Sequence, residues 1–475
     1  MAGTWVRIAQ QPPFNVGTML LLTDGSIFCH DAGAGYGTSN WWKFSPDALG
    51  SYRNGTWTQA ASMPNTPSGT ANSPLYFASA VLKDGRVFVA GGEYNGSSNA
   101  ADVLAAEIYD PVSNSWTNLP TPNGWTAIGD APICVLPNGT LLIGSILTNA
   151  TAIYDPAANA WSAGATKNNS ASDEESWILL PENTVLSVDC NGHPQTEKYV
   201  IGNNAWINAG ATPSDLVEAS SLEVGPAILL PDGRAFAIGA TGKTALYSME
   251  ANPTDPGQWN AGPNFPQVPG AANLGAKDAP ACLLPNGRVL CVAGPVDGVS
   301  GDYLGPTFFF EFDPDASTIS AAPASGNSGS PPFAGRMILM PTGNVMFANS
   351  TQDVEIYVAD GSPQDWFRPT ISSVPSRLAR GNTYTLHGTQ LNGLAQAVAY
   401  GDDASMATNY PLIRLVRGRN IVYCRTSNFS TMAIATADQD GSTDFAVPAG
   451  MAAGSYELQV VVNGIASSTI PVVVA

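Results

Sequence analysis

The stretch ASAVLKDGRVFVAG at residues 78–91 places Asp84-Gly85 between two apolar runs. An Asp-Gly pair in that setting predicts a β-hairpin, because a type I′ turn needs a positive φ at both central residues. Successive turns of this kind are 60, 54, 44, 50, 54 and 56 residues apart. The arrangement occurs seven times, at Asp24-Gly25, Asp84-Gly85, Asn138-Gly139, Glu182-Asn183, Asp232-Gly233, Asn286-Gly287 and Thr342-Gly343.

Most repeats continue with two further segments that read as strands. A segment such as Ile108-Tyr109 or Ile153-Tyr154 follows the hairpin, and a strand led by tryptophan often ends the repeat. The leading residues are Trp57, Trp116, Trp161, Trp206 and Trp259. A period near fifty residues with four strands is typical of a β-propeller of the kelch kind. The sequence therefore predicts a seven-bladed kelch-type propeller, whose chemistry is expected at the mouth of the central channel.

The seventh repeat has no fourth strand of its own. The N-terminal segment 4–10, TWVRIAQ, is similar to segment 56–62, TWTQAAS, which ends the first repeat. We therefore expect the N-terminal strand to complete the last blade. Closing the ring in this way removes sheet edges that would otherwise pair with other molecules.

The sequence pattern changes near residue 367. From there to the C-terminus, short alternating strands are separated by Gly, Asn and Asp turns, with one strand expected at 397–400. About a hundred residues of this kind favour an immunoglobulin-like sandwich. We expect an all-β chain with a propeller closed by the N-terminal strand at 1–366 and an Ig-like (E-set) β-sandwich at 367–475.

Composition narrows the classes of partner. A net charge of −19 argues against binding to nucleic-acid backbones or anionic membranes, since both attract Lys and Arg. No apolar run reaches the roughly 18 residues that a membrane span needs. Residues 1–10 have neither the basic start nor the apolar core of a signal peptide. The expected partner is a small ligand, and the expected state is a monomer.

The six cysteines do not read as a disulfide framework. Most lie in hairpin strands, where other blades carry apolar residues and where a buried thiol behaves as a small hydrophobe. Counting from the Asn286-Gly287 turn places Cys282 directly opposite Cys291. A cross-strand disulfide between them is one interpretation, although such bridges are usually strained.

A propeller of this kind, followed by Arg368-Pro369-Thr370-Ile371 and an Ig-like domain, resembles the galactose oxidase/glyoxal oxidase family. The resemblance covers nearly the whole chain and implies an extracellular or periplasmic protein. Family members hold copper with a Tyr-His pair at the inner strand of the last blade and a His from the C-terminal domain. They also carry a Tyr linked to a Cys by a thioether.

The family's copper ligands are missing from the matching positions. Phe333-Ala334 stands where the Tyr-His pair is expected, and the stretch 402–405, DDAS, contains no His. Tyr76 opens an inner strand, but no Cys stands at the corresponding place on another blade. Copper is therefore not expected.

Acidic residues take the place of those ligands. Counting back nine residues from the second residue of each turn gives Asp130, Glu174 and Asp278 in blades 3, 4 and 6, while Asp173 and Glu223 stand one place earlier in blades 4 and 5. Like charges that converge raise one another's pKa unless a cation neutralises them. Lys277 and Arg336 are nearby in the sequence pattern, and oxygen ligands favour Ca²⁺ or Mg²⁺. The predicted catalytic residues are Asp130, Glu174, Asp278 and Glu223, and the predicted metal ligands are Asp130, Glu174 and Asp278.

Loops on the same face supply candidate ligand-binding residues. Aromatic rings beside carboxylates suit sugars, which stack on a ring and donate hydroxyl groups to acids. The predicted ligand-binding residues are Asp173, Lys277, Arg336, Tyr76, His30, Trp41, Trp42, Trp125 and His193.

Three functions remain open at this stage. The first is binding of a carbohydrate or small polar ligand at the acidic mouth, with acid/base or metal-assisted catalysis of the hydrolase or lyase type. The second is a non-catalytic lectin or interaction module. The third is an oxidase with an atypical metal site. The dissimilar loops favour a single central site over one repeated on every blade.

Overall fold

Seven antiparallel sheets form a ring in the computed structural model, which describes residues 3–271, 273–296, 304–396 and 409–475. The predicted strand at 397–400 lies outside the described residues. Blades 1, 2 and 3 consist of Val16–Leu21, Ile27–Asp31, Trp41–Ser45 and Thr56–Gln59; Ala78–Val81, Val87–Ala90, Ala106–Asp110 and Ser115–Asn118; and Ile133–Val135, Leu141–Gly144, Thr151–Asp155 and Ala160–Ala163. No helix among the described residues is long and apolar enough to cross a membrane.

The other four blades follow the same order. Blades 4 and 5 consist of Ser176–Leu180, Thr184–Val188, Gln195–Val200 and Ala205–Ala211; and Ala227–Leu229, Ala235–Ile238, Thr244–Ser248 and Gln258–Ala261. Blade 6 has a divided inner strand, Leu274–Gly275 and Ala281–Leu283, followed by Val289–Pro295, Phe308–Asp313 and Thr318–Ala321. Blade 7 consists of Arg336–Leu339, Val345–Ala348, Glu355–Val358 and the N-terminal strand Thr4–Arg7. Outside the blades lie the strand pair Pro74–Leu75 and Tyr94–Asn95 and the short 3₁₀ helices Ile201–Asn203, Pro332–Ala334 and Asp365–Phe367.

Ring closure takes place in blade 7, as the sequence predicts. The N-terminal strand runs antiparallel to Glu355–Val358, with Thr4 opposite Val358 and Arg7 opposite Glu355. Each innermost strand contacts the innermost strands of its two neighbours, and the contacts return from blade 7 to blade 1. The inner strands therefore form a closed ring, and the starts of all seven face one channel.

In blades 1, 2 and 3 the leading tryptophan joins the blade to the one before it. The indole Nε1 of Trp116 donates to the carbonyl oxygen of Ala61 at 2.8 Å, and that of Trp161 donates to Pro120 at 2.7 Å. Trp57 donates to Gln10 in the same way, at 3.0 Å. Each bond crosses to the loop that leaves the preceding blade, which explains why the tryptophan leads the outermost strand.

The hairpin turns differ from the type I′ prediction. In all seven pairs only the second residue has a positive φ, for example 86° at Gly85 and 60° at Asn183. The turns are therefore three-residue loops in which a type I turn is followed by one left-handed residue, the second hairpin class that an Asp-Gly pair serves. The Asp or Asn side chain accepts the backbone N–H two residues later, as from Arg86 to Asp84 at 3.0 Å.

The longer loop also corrects the pairing of the two cysteines. Cys282 lies opposite Leu290, and Cys291 lies opposite Ala281. This offset of one residue turns the two side chains to opposite faces of the sheet. Both thiols are free and buried. The interpretation of Cys282 and Cys291 as a directly opposed pair is therefore wrong.

The C-terminal strands form a sandwich around their own core. They are Thr370–Ser373, Arg377–Leu378, Thr383–Thr389, Leu412–Arg417, Asn420–Ser427, Gly441–Ala446, Gly454–Val462, Ile465–Ala466 and Ile470–Val474. The strand Asn420–Ser427 pairs with both halves, with Leu412–Arg417 on one side and Gly441–Ala446 on the other. Buried residues such as Leu386, Leu415 and Leu458 fill the space between the halves.

The sandwich covers the side of the ring that carries the hairpin turns. Arg425 forms an ion pair with Asp24 at 3.0 Å, and the amide of Met432 donates to the carbonyl of Pro137 at 2.9 Å. Gln396 reaches further and accepts the amide of Leu179 at 3.0 Å. Because the sandwich occupies this side, the opposite mouth is the side on which inner strands begin.

We predict that Trp5→Ala lowers the free energy of unfolding by roughly 2 kcal/mol, which is below the range for a fully buried tryptophan because Trp5 is half-buried. The Trp5 ring packs against Phe309 and Tyr357 at 4.9 and 5.0 Å, and its Nε1 donates to Pro323. Urea denaturation measures the change, and Trp366→Ala is the matched control because Trp366 is 51% exposed. Deletion of residues 1–10 should cost more still. An unchanged urea midpoint for that deletion would show that the strand does not hold the ring closed.

Candidate functional site

Five carboxylates meet at the mouth of the channel. Oxygen atoms of Asp130, Asp173 and Glu174 lie within 4.8 Å of one another, and so do oxygen atoms of Glu174, Glu223 and Asp278. Glu174 belongs to both groups. The acidic residues that the sequence register selected are thus close together in space, and we call these five residues the carboxylate cluster.

Two members of the cluster stand on an unusual backbone. Glu174 has a φ of 57° and Asp278 a φ of 49°, while Tyr76, at the equivalent place in blade 2, has a φ of 55°. The left-handed region costs a residue with a Cβ about 1 kcal/mol or more, and such strain concentrates at functional sites. Hydrogen bonds hold both segments: the amide of Asp278 donates to Val224 at 3.0 Å, and the thiol of Cys190 donates to the carbonyl of Glu174 at 3.2 Å.

A buried ion pair lies directly behind Glu174. Its neighbour Glu175 contacts the ammonium group of Lys167, and both side chains are fully buried. Glu175 also accepts the indole N–H of Trp177 at 2.9 Å and the hydroxyl of Ser187 at 2.7 Å. Three donors therefore fix the side chain of Glu175. Because Glu174 directly precedes Glu175, Glu174 has little freedom to leave its left-handed conformation.

The crowding of like charges helps to raise the pKa values of carboxyl groups at the mouth. Burial, followed by the charges of Asp130 and Glu223, raises the pKa of Glu174 well above its usual value. Burial and the charge of Asp130 raise the pKa of Asp173 to about 6. Burial and neighbouring like charges thus both make these carboxyl groups weaker acids than isolated ones.

The charge of Asp130 also acts on two further acidic residues. Burial and the charge of Asp130 raise the pKa of Glu93 to about 7 and also raise that of Asp102. Both come from the loop between the second and third strands of blade 2. The count from the hairpin turns could not select them because it reads only inner strands; the sequence signal is the polar segment 93–102 after Gly91-Gly92.

The two cations near the mouth have partners of their own. Lys277 Nζ lies 3.8 Å from Glu218 Oε2. The guanidinium of Arg336 lies 5.6 Å from the centre of the Tyr76 ring and donates to the carbonyl oxygens of Phe333 and Gly335 at 2.6 and 2.7 Å. Lys277 immediately precedes Asp278 of the cluster, and Arg336 begins the inner strand of blade 7. Their roles in binding a ligand stay predictions.

Tyrosines, not the predicted tryptophans, line the approach to the mouth. The rings of Tyr36, Tyr94 and Tyr76 follow one another at centroid distances of 6.0 and 5.9 Å. Tyr36 is 42% exposed, and the other two are half-buried. This tyrosine row offers ring faces and hydroxyl groups beside the acidic residues.

Several residues predicted to bind a ligand lie in the core instead. Trp41 is fully buried and stacks on Phe28 at 4.5 Å, and Trp42 stacks on Phe14 at 5.0 Å. His30 is also fully buried; burial lowers its pKa to about 4, and its Nε2 bonds to the carbonyl of Thr38 at 2.8 Å. The prediction that Trp41 and His30 face a ligand is wrong, because both residues lie opposite each other in the paired second and third strands of blade 1 and their side chains are buried.

The last two predicted binding residues lie away from these rings. Trp125 is half-buried and packs against the core of the first blades. His193 lies on the blade 4 side, where its Nδ1 is 2.7 Å from the carboxylate of Asp215. Their roles stay predictions.

The described residues at this mouth differ from the copper ligands that the family resemblance implies. Phe333 and Ala334 lie in the short helix Pro332–Ala334, where that family has its Tyr-His pair. In the described part of the chain, the groups with metal-binding spacing consist of carboxylates alone, whereas copper(II) sites favour imidazole and thiolate. The stretch 402–405 lies outside the described residues.

Comparison with known proteins supports the fold. A model of the Kelch motif family matches residues 74–123, and no curated protein sequence matches the chain. A fungal alcohol oxidase of the AA5 family, solved in complex with copper, is 15% identical with a TM-score of 0.56, and the alignment covers 100% of this chain and 99% of that one. The chain shares the fold of that oxidase.

A second solved structure is more distant. The extracellular domain of a hybrid two component system from B. thetaiotaomicron is 11% identical with a TM-score of 0.49, and the alignment covers 100% of this chain and 59% of that one. The expected galactose oxidase-like kelch propeller is confirmed as a fold by the AA5 enzyme. At such low identity the likeness concerns the fold alone.

We predict that Glu93→Gln flattens the pH dependence of stability between about pH 4.5 and 7. The folded state raises the pKa of Glu93 from 4.5 to about 7, so the stabilising proton is fully bound at low pH and lost as the pH rises through 7. After allowance for screening by channel water, the stability gap between variant and wild type should widen by about 1 kcal/mol over this window. Thermal melts at several pH values measure it.

The control for this experiment is Glu457→Gln, which removes one charge from an exposed position on the sandwich. Its melting curve should follow the wild type at every pH. Parallel pH profiles for wild type and Glu93→Gln would contradict the assignment of Glu93 to the crowded mouth.

Proposed function

We propose that the mouth binds a hard divalent cation, Ca²⁺ or Mg²⁺, together with a carbohydrate or other small hydroxyl-rich ligand. The observation that carries this proposal is the position of Glu174, whose carboxylate is shared by two groups of acids with oxygen atoms within 4.8 Å. Five acids so close together repel one another, and a divalent ion among them would turn that repulsion into attraction.

The donor chemistry favours calcium. Ca²⁺ takes six to eight oxygen ligands in flexible geometry, whereas Mg²⁺ demands a small octahedron and keeps several waters. The cluster supplies carboxylate oxygens from four different blades, so the ligands are set by the ring and not by a single loop. An extracellular or periplasmic location, which the family resemblance implies, would expose the site to the high calcium levels to which extracellular modules are tuned.

The tyrosine row supports a hydroxyl-rich ligand. A sugar bound beside the cation would place its hydroxyl oxygens in open coordination positions and one ring face against Tyr94 or Tyr36. Ligand sites combine apolar walls with a few convergent polar groups in this way. A binding role without turnover, as in a lectin, uses the same contacts.

The raised pKa values favour a second candidate, which is acid/base catalysis. The pKa of about 7 at Glu93 lets that carboxyl group donate a proton at neutral pH, while an ionised neighbour could accept one. Hydrolysis or elimination at a glycosidic bond requires such a pair. Release of reducing or unsaturated sugar ends from a glycan separates this candidate from simple binding.

We predict that calcium binds the wild-type protein and that Glu174→Gln weakens binding at least tenfold. Isothermal titration with CaCl₂ and MgCl₂ measures the affinity. Without added cation, Glu174→Gln should melt at or above the wild-type temperature, because it removes the cost of burying an ionised carboxylate beside like charges, which is about 1.4 kcal/mol for each unit of raised pKa.

Glu457→Gln serves as the charge-matched control and should bind calcium as the wild type does. Equal calcium affinity for Glu174→Gln and wild type, or no binding of either cation to wild type, would refute the proposed cation site. A panel of neutral and acidic oligosaccharides, titrated with calcium and then with EDTA, tests the hydroxyl-rich ligand separately.

A further inference from the structure

A cavity opens on the side of the ring that carries the hairpin turns, away from the mouth. It has a volume of about 310 Å³ and lies where the turns of blades 5 and 6 meet the segment 360–367, which leads into the sandwich. The side-chain amide of Asn286 donates to the carbonyl oxygen of Asp360 at 2.9 Å, so this segment is bonded to the turn of blade 6. The cavity is therefore bounded by two parts of the chain that hold each other in place.

Trp366, which lines this cavity, differs from the other tryptophans of the chain. All eleven lie within the described residues, and only Trp366 is exposed, with 51% of its surface accessible. Aromatic side chains supply much of the contact energy at binding sites, because they combine a large apolar surface with a polar edge. The indole of Trp366 is therefore accessible to a ligand from solvent, as no other indole of this chain is to the same degree.

The exposed indole is held in a fixed position. Its Nε1 donates to Gln364 Oε1 at 2.6 Å, and the Phe367 ring meets it at a steep angle, with the ring centroids 4.3 Å apart. Phe367 is buried and lies over Gly287, where an added Cβ would come within 3.2 Å of the Phe367 ring. Arg368 donates to the carbonyl oxygen of Ala466 at 2.9 Å, which ties the segment to the sandwich. A ring that is already ordered loses little conformational entropy when a ligand stacks on it.

Three of the four acidic residues that line the cavity have partners. Arginine side chains bind Asp232 at 2.5 Å and Asp313 at 3.0 Å, and Asp360 also has a partner. Asp315 is different, because it is exposed and no ion pair or hydrogen bond among the described residues engages its carboxylate. The cavity therefore offers one carboxylate as an acceptor, and most of its other charge is compensated.

Neutral hydrogen-bonding groups and apolar surface complete the lining. Ser362 and Gln364 supply a hydroxyl and an amide, and Pro231 and Pro314 supply apolar walls. A pyranose sugar has an apolar ring face and hydroxyl groups, which donate to carboxylates and exchange hydrogen bonds with hydroxyls and amides. An exposed ring beside a single available carboxylate and neutral polar groups matches a neutral sugar better than an ion.

A comparable cavity on the same side of the ring has a buried aromatic residue instead. Its volume is about 400 Å³, and it lies at the turns of blades 2 and 3, beside residues 428–430 of the sandwich. Phe429, the aromatic residue of its lining, is 1% exposed and stacks on Tyr410 at 5.7 Å. A crevice between blade turns and the sandwich thus forms without an exposed ring, and the indole of Trp366 sets the first cavity apart.

We propose that the first cavity is a second carbohydrate site, which holds one neutral pyranose residue of a polysaccharide against Trp366. The apolar face of the sugar lies on the indole, Asp315 accepts one of its hydroxyl groups, and Gln364 contacts another. This inference goes beyond the proposed function and does not depend on it, because the cavity lies on the opposite side of the ring from the mouth. The site needs no cation.

The test titrates neutral oligosaccharides into the protein in buffer that contains EDTA, which removes cation-dependent binding at the mouth. Cellotetraose, xylotetraose, mannotetraose and maltotetraose are the probes, and isothermal titration gives each affinity. At least one should bind, and Trp366→Ala should weaken the best probe at least tenfold, because tryptophans commonly contribute this much at binding sites. Val112→Ala is the control and should change affinity less than twofold, since it removes an exposed apolar side chain from the equivalent turn of blade 2.

A second pair of variants tests the polar contact. Asp315→Asn should weaken the best probe about fivefold, because a neutral amide oxygen accepts a weaker hydrogen bond than a carboxylate does. Glu457→Gln removes one exposed charge from the sandwich and should leave the affinity unchanged. Equal losses for the two variants would show that general charge, and not contact with Asp315, sets the affinity, and would refute the proposed contact.

The outcomes separate this inference from the proposed function. Binding in EDTA that Trp366→Ala weakens and Val112→Ala does not weaken supports the second site, whether or not calcium binds at the mouth. If none of the four probes binds, or if Trp366→Ala and wild type have equal affinity, the second site is refuted while the cation site stands. Choline is the probe for an organic cation: if it binds through Trp366 and no sugar does, the inference is also refuted.

Discussion

Closure of the ring keeps each inner strand against its two neighbours, and the strand Thr4–Arg7 completes the last blade of that ring. The geometry of the mouth depends on this closure. Seven sheets that meet around one axis bring seven strand starts together, whichever residues those starts carry. In this chain, blades 3 to 6 carry acids at those places. The charge density of the mouth is therefore a consequence of closure combined with the residue that each repeat places at the start of its inner strand.

The carboxylate cluster at the mouth destabilises the fold. Like charges, burial and left-handed backbone at Glu174 and Asp278 all raise the free energy of the folded state. The surrounding structure offsets this cost: the buried Lys167–Glu175 pair stiffens blade 4, tryptophan side chains join successive blades, and the sandwich covers the opposite side. Destabilisation of this kind persists at binding sites because the bound ligand offsets it.

The periodicity of the sequence predicted most of the fold. Turn pairs and leading tryptophans are local signals, and they were enough to define seven blades, the closing strand and the acidic positions of the inner strands. These signals did not define the type of turn, because an Asp-Gly pair occurs in both two-residue and three-residue loops. The shorter loop places Cys291 opposite Cys282, whereas its partner in the structure is Ala281. Register errors of one residue are invisible in apolar runs that are buried on both faces.

The segments between the second and third strands of blades 1 and 2 were the part of the site that the sequence predicted least well. Trp41 and His30 were assigned to a loop, whereas the second and third strands of blade 1 include them and hold their rings in the core against Phe28 and Phe77. The count from the turns could not select Glu93 and Asp102 as members of the acidic mouth, because their loop has no fixed spacing from a turn. The tyrosine row likewise joins two loops and a strand start, so only the assembled ring brings its members together.

Anomalous diffraction from crystals soaked in a terbium salt tests the central claim most directly, because Tb³⁺ replaces Ca²⁺ at oxygen sites and scatters anomalously. The account predicts one dominant peak in the channel mouth, about 2.3–2.6 Å from carboxylate oxygens that include Glu174. That peak should vanish in crystals of Glu174→Gln and persist in Glu457→Gln. Peaks confined to exposed surface carboxylates, with none in the mouth, would contradict the account.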